Sequence, residues 1–185
     1  MPSAIPPDIP PAWQHFLADI DAALTEGVRV HCLGGFVITM LYGFKRPTSD
    51  VDYIETVPAH ASRLLQDIAG RGSPLFKKHG LFLQHVGVAS LPESYRERLI
   101  AITPGRYRHL RLFALDPYDL ALSKLTRNHP VHHADVEFLA RAVPLDPRIL
   151  RERYERELRG YATGDPGWND QTLNMWIESY FPAEE

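Results

Sequence analysis

Val28-Arg-Val-His-Cys-Leu-Gly-Gly-Phe-Val-Ile-Thr-Met-Leu-Tyr-Gly-Phe-Lys-Arg-Pro-Thr-Ser-Asp-Val-Asp-Tyr-Ile-Glu55 is the stretch whose reading decides the fold. Val28 to Leu33 reads as a strand that ends at Gly34-Gly35, and the apolar run Phe36 to Tyr42 suits a buried helix. A helix entered directly from a strand leaves its first backbone N–H groups without intrahelical partners. Those donors and the positive end of the helix dipole form an anion site, and glycine lets a phosphate come close to the main chain. Asp50 and Asp52 then open a second strand. Its period of two puts both carboxylates on one face, Cα atoms roughly 6–7 Å apart, and turns Val51 into the core.

Two carboxylates sharing a face repel unless a cation neutralises them, and Mg²⁺ characteristically takes one or two carboxylates plus substrate phosphate oxygens. Taken singly, a Gly-Gly pair also fits a plain tight turn, and Asp-x-Asp also fits a solvated strand end. The ordered combination, with Arg46 and Thr48 between the halves, points to a metal–triphosphate site.

The order Gly34-Gly35, then Arg46-x-Thr48-x-Asp50-x-Asp52, resembles the nucleotidyltransferase superfamily, in which a Gly-Gly or Gly-Ser helix start precedes an Asp-x-Asp strand. A second block is similar to the second signature of a prokaryotic branch of nucleotidyltransferase-like domains akin to AbiEii-type toxins. It runs Leu112-Phe-Ala-Leu-Asp-Pro-Tyr-Asp-Leu-Ala-Leu-Ser-Lys-Leu-Thr-Arg-Asn128 and continues at Asp135-Val136 and Phe138-Leu139. The resemblance implies an α/β (α+β) nucleotidyltransferase-like fold: a small mixed sheet flanked by helices, with a C-terminal helical segment. It also implies transfer of a nucleoside monophosphate from a nucleoside triphosphate to an acceptor hydroxyl of RNA, protein or a small molecule, with release of pyrophosphate. Gly34, Gly35, Arg46 and Thr48 would then hold the nucleotide, while Asp50 and Asp52 would ligate Mg²⁺ or Mn²⁺. By the same implication Lys124 and Arg127, three apart on one expected helix, would face the nucleotide. Asp135 would serve as a base or behind the metal ligands. Read from the residues alone, Lys124 and Arg127 equally suit a basic surface stripe, and Asp135 a charged residue at a helix start.

Two departures bear on turnover. Active members of the superfamily usually add a third carboxylate from a later strand, and the candidate strand Leu81 to Val88 holds no acid; Gln84 or His85 takes that place. Asp116-Pro117-x-Asp119 reads as a helix start, with Asp as N-cap, Pro at the first position and an acid in the first turn. Relatives tend to carry a basic residue and an aspartate where this chain has Val131-His132. His129, His132 and His133 match no standard zinc spacing, so they read as solvated or as weak cations near the phosphate pocket. His31 reads as a core histidine.

Composition bounds the rest. With 185 residues, 44% hydrophobic content and one cysteine, the chain suits a domain of ordinary size without an internal disulfide. That favours a reducing cytoplasm, and no secretory pattern or membrane-length apolar stretch opposes it, so no membrane partner is expected. A net charge of −3 supplies no global attraction to nucleic acid. The five arginines 96, 98, 106, 108 and 111, interleaved with Tyr95 and Tyr107, suit either a local phosphate-binding patch or a solvated hairpin rim.

The expected organisation is a Pro-rich arm over residues 1–11, a nucleotidyltransferase-like core over 12–115 and a helical segment over 116–185 packed on that core. Trp13, Phe16, Leu17, Ile20 and Leu24 recur at helical spacing. Pro58 to Gly70 reads as a helix; Pro74 to Phe76, Leu81 to Val88, Leu99 to Thr103 and Leu110 to Leu115 read as strands. A helix from Asp116 runs to Asn128, a second runs from His133 to Ala142, a third starts at Asp146-Pro147, and the last spans Asn169 to Tyr180. In the third, Leu150, Tyr154, Leu158 and Tyr161 form the apolar face, with Arg151–Glu155, Glu152–Arg156 and Arg153–Glu157 as exposed pairs. Three functions fit: an active Mg²⁺-dependent nucleotidyltransferase, a nucleotide-binding module without turnover, and a toxin–antitoxin component that docks on a cognate protein.

Overall fold

The computed structural model describes residues 9–127 and 130–181. Most of the Pro-rich arm and His129 lie outside them. The described chain divides into two units, one holding residues up to 88 with 99–114, the other holding 89–98 with 115 onward.

The first unit is built on a five-stranded mixed sheet in the order β3-β2-β1-β5-β4. Its strands are β1 (Val28–Leu33), β2 (Asp50–Val57), β3 (Phe82–His85), β4 (Ile100–Ala101) and β5 (Leu110–Ala114). β1 is central, antiparallel to β2 and parallel to β5. Helix α1 (Pro11–Ala23) buries Trp13, Phe16, Leu17 and Ile20, and Trp13 stacks tilted on Phe36 at 4.8 Å between ring centres. The sheet face that packs inward carries Val28, Val30, Cys32, Val51, Tyr53 and Thr56, all 3% exposed or less. Helix α3 (Ala61–Ala69) and helix α4 (Pro74–His79) also belong to this unit, and α4 is tied to α1 where Lys78 and His79 reach Asp19 at 2.7 and 2.6 Å.

α4 overturns the strand expected at Pro74 to Phe76. The Ser73 hydroxyl accepts from the Phe76 N–H at 3.1 Å, Pro74 sits in the first turn, and Gly80 caps the end at φ +71. Cap chemistry of that strength outweighs a three-residue apolar alternation. The strands expected at Leu81 to Val88 and Leu99 to Thr103 shrink to β3 and to the two residues of β4, both at sheet edges.

The second unit is helical: α5 (Pro117–Leu122), α6 (Pro130–Ala142), α7 (Pro147–Glu157) and α8 (Pro166–Tyr180). Asp116, Asp146 and Asp165 cap three of them, each accepting a backbone N–H and each followed by proline. α5 stops at Leu122, so Lys124 and Arg127 lie on turns instead of the long helix expected. α6 starts at Pro130, which makes His132 and His133 helical. His133 Nδ1 accepts from Trp176 Nε1 at 3.2 Å and lies edge-on to its ring, so it packs instead of facing solvent.

The three charge pairs expected on the outside of α7 resolve differently. Glu152 and Arg156 pair at 2.6 Å, and Arg151 instead donates to Asn174. Arg153 turns to Asp116 and Asp119, and Glu157 to Arg98, because 89–98 folds back onto this helix. Tyr161 is 54% exposed, its hydroxyl donating to the carbonyls of Leu91 and Glu157.

α7 and α8 are also joined by Asp170, which accepts from Arg159 at 2.8 and 2.9 Å and from the Tyr154 hydroxyl at 2.6 Å. The Arg159 guanidinium, then the Tyr154 hydroxyl, hold its carboxyl down at about 2, against an ordinary 3.8. A folded-state value below the unfolded one means the contribution is complete above the unfolded value and vanishes as pH falls through the folded one. Thermal midpoints of wild type and Asp170→Asn are therefore expected to differ near neutrality and to converge between about pH 4 and pH 2. A gap that stays constant over that window contradicts the assignment.

Candidate functional site

The site forms where β1 turns into helix α2 (Gly34–Tyr42). Leu33 pairs with Asp52, so the end of β1 brings the next residue against that carboxylate. Gly34 makes the turn at φ +79, and a Cβ placed on it would stand 2.5 Å from Asp52 Oδ2 and 3.2 Å from Asp52 Cβ. A Cβ on Gly35 would collide with Nη2 of Arg46. The two glycines thus allow a helix N-terminus, a carboxylate and a guanidinium to share one small space. Leu33, the N-cap residue, offers no side-chain cap to the first turn.

β2 shows the expected alternation, with Val51 and Tyr53 buried and Asp50 and Asp52 half-buried on the other face. The Thr48 hydroxyl donates to Asp50, 3.1 Å from Oδ1 and 3.2 Å from its carbonyl, which fixes the carboxylate. On the far side of β2, Gln84 is level with Asp52 and His85 with Tyr53. The third-acid position therefore holds an amide. Among the described residues no group of three or more His, Cys, Asp or Glu side chains is arranged to hold a metal ion.

One residue escaped the sequence reading. β1 and β2 slip register between His31 and Cys32, leaving Ile54 as a bulge, and Glu55 pairs opposite His31. Regular alternation would have turned Glu55 to the core side with Val51 and Tyr53. The bulge turns it to the face of Leu33 and Asp52, with Oε2 3.5 Å from Nδ1 of the buried His31. Cys32, on the inner face, is no nucleophile: burial first, then the Asp52 charge, pushes its thiol up.

The C-terminal site residues fall in the other unit. Lys124 and Asp135 form an ion pair at 3.0 Å with side chains 9% and 1% exposed. Lys124 is therefore no surface stripe, and Asp135 lies inside α6 rather than at its start. Arg127 is exposed on the turn after α5.

Gly34→Ala is expected to stabilise nothing and to disturb much. The left-handed backbone costs an alanine about 1–2 kcal/mol. The new methyl would also stand 2.5 Å from Asp52 Oδ2 and so displace that carboxylate. A variant with wild-type thermal midpoint and unchanged nucleotide affinity would show the close approach to be unimportant.

A strand–Gly-Gly–helix–strand hairpin ending in Asp-x-Asp on a mixed sheet defines a nucleotidyltransferase-like protein. The profile of the family described as nucleotidyltransferase of unknown function (DUF6036) matches residues 16–180, and the chain belongs to that family. Neither a curated protein nor a solved structure matches the chain. No helix among the described residues is long and apolar enough to cross a membrane.

Proposed function

We propose that the protein transfers a nucleoside monophosphate from a nucleoside triphosphate to an acceptor hydroxyl, with Mg²⁺ or Mn²⁺ held by Asp50 and Asp52. The observation that carries this reading is the close approach at Gly34, where the lack of a Cβ lets Asp52 Oδ2 lie against the entry of α2. The donor set suits the ion, since two carboxylates leave coordination positions for phosphate oxygens and water. When bound, such an ion withdraws the charge that develops on the reacting phosphoryl group. The residues of the chain do the rest: the α2 N–H groups and Arg46 hold phosphate oxygens, and Thr48 keeps the Asp50 carboxylate aimed. In the C-terminal unit Lys124 and Asp135 pair with each other at 3.0 Å, and we propose that this pair holds α6 against the turns after α5.

A second reading, nucleotide binding without turnover, is favoured by Gln84 standing level with Asp52. Purified protein incubated with each labelled nucleoside triphosphate, Mg²⁺ or Mn²⁺ and total RNA separates the two. Label transferred to RNA or protein supports the enzyme. Saturable, metal-dependent nucleotide binding with no transfer supports the second reading, and neither binding nor transfer removes both.

A further inference from the structure

The hairpin between β4 and β5 holds a feature that this site does not use. Its turn covers a cleft of about 320 Å³ lined by Ala101, Thr103, Tyr107, Arg111, Leu112 and Phe113. The hydroxyl oxygens of Thr103 and Tyr107 are closed to water and have no hydrogen-bond partner. Thr103 is 6% exposed as a whole residue. Native structures pair nearly all buried polar atoms, so two orphan hydroxyls in the wall of one small cleft call for a ligand to complete them.

The rim is basic. Arg111 stands in register with Arg29 on the neighbouring parallel strand, and both are exposed, as are Arg106 and Arg108 on the hairpin loop. Like charges level on adjacent strands repel, and an anion relieves them. The loop is also anchored. The Asp21 carboxylate of α1 accepts the N–H groups of Arg108, His109 and Leu110 at 3.1, 2.6 and 2.7 Å.

β5 runs parallel to β1 with Leu110 beside Val28 and Ala114 beside Cys32. Arg111 stands beside Arg29 and Phe113 beside His31, so the cleft wall lies five and three strand residues from Gly34, about 16 and 10 Å. One ligand group cannot occupy both places.

Three demands define the ligand. Bare phosphate would leave the Tyr107 and Phe113 wall uncovered, and an apolar carboxylate would leave the hydroxyls unpaired. A flat ring with hydrogen-bonding edges, joined to a phosphate, meets the aromatic wall, the hydroxyls and the arginines together. We propose that this cleft is a second nucleotide site, taking the base between Tyr107 and Phe113 and the phosphate on Arg111 and Arg29. The same chemistry is offered by a free mononucleotide or by one nucleotide of a single strand.

The test is equilibrium binding of AMP and of a fluorescent short oligoadenylate to the full chain in EDTA, where metal-dependent binding at Asp50 and Asp52 is silent. Wild type is expected to bind saturably. Arg111→Glu, at an exposed position, should weaken binding by at least about tenfold, the scale of one lost guanidinium–phosphate contact. Thr103→Val and Tyr107→Phe should weaken it severalfold while leaving thermal midpoints equal or higher, because each removes an orphan oxygen. The Asp50→Ala, Asp52→Ala double variant should bind as wild type does, so this inference and the catalytic reading fail separately. Tighter, salt-sensitive binding of the oligonucleotide identifies a strand, and equal affinity identifies a mononucleotide; both support the proposal. It is overturned if wild type binds neither probe, if Arg111→Glu changes nothing, if the double aspartate variant abolishes binding, or if polyglutamate displaces the oligonucleotide as well as unlabelled oligoadenylate does.

Discussion

Asp52→Asn is expected to lower nucleotide transfer by about 10³-fold or more while the protein stays folded. The substitution keeps shape and hydrogen-bonding capacity but removes the charge that a divalent ion needs. Asp52 is half-buried at the sheet surface, against the α2 entry instead of inside the core. Asp50→Asn should act in the same direction, and the two together should cost little more than either alone, as groups that act as a unit are not additive. Circular dichroism and thermal midpoints monitor the fold, and label transfer reports the chemistry. Transfer surviving in the double variant would place the active groups elsewhere.

Asp119→Ala is expected to destabilise the helical unit by about 3 kcal/mol, the low end for breaking a buried ion pair because both arginine partners keep some solvent contact. Asp119 is fully buried and accepts three charged hydrogen bonds, from Arg98 at 3.0 and 3.1 Å and from Arg153 at 2.9 Å. Truncation leaves both guanidinium groups partly buried with one partner fewer each, while Asp116 and Glu157 retain theirs. Urea unfolding followed through Trp168 and Trp176 measures the loss. Removing Arg98 and Arg153 as well should cost more than the single change, because the buried Asp116 and the half-buried Glu157 then lose their guanidinium partners. A single-variant loss below about 1 kcal/mol would contradict the role given to the network.

This network shows where linear reading stops. Each member has an obvious local role in sequence: Asp116 as N-cap, Arg153 and Glu157 as an i, i+4 pair, Arg98 as part of a basic cluster. The caps are real, since Asp116 accepts from the Asp119 N–H at 2.9 Å. The pairing is not local: Arg98, 59 residues from Glu157, donates to it at 3.1 and 2.8 Å. The arginine cluster accordingly splits, with Arg98 consumed by structure, Arg96 laid over Tyr95, and Arg106, Arg108 and Arg111 left around the hairpin.

The chain alone determined the β1–α2–β2 unit, the alternation that turns Asp50 and Asp52 to the outer face while burying Val51, and the proline-led caps of α5 and α7, whereas α8 starts at Pro166, ahead of the expected Asn169. Those follow from strand period, glycine stereochemistry and capping, which act over a few residues. Tertiary structure alone decided three further matters. It set Gln84 level with Asp52, it turned Glu55 outward through the bulge at Ile54, and it buried Lys124 against Asp135. Register, bulges and ion pairing are settled by which distant backbone and charge come to lie alongside, and no spacing within a single segment encodes that.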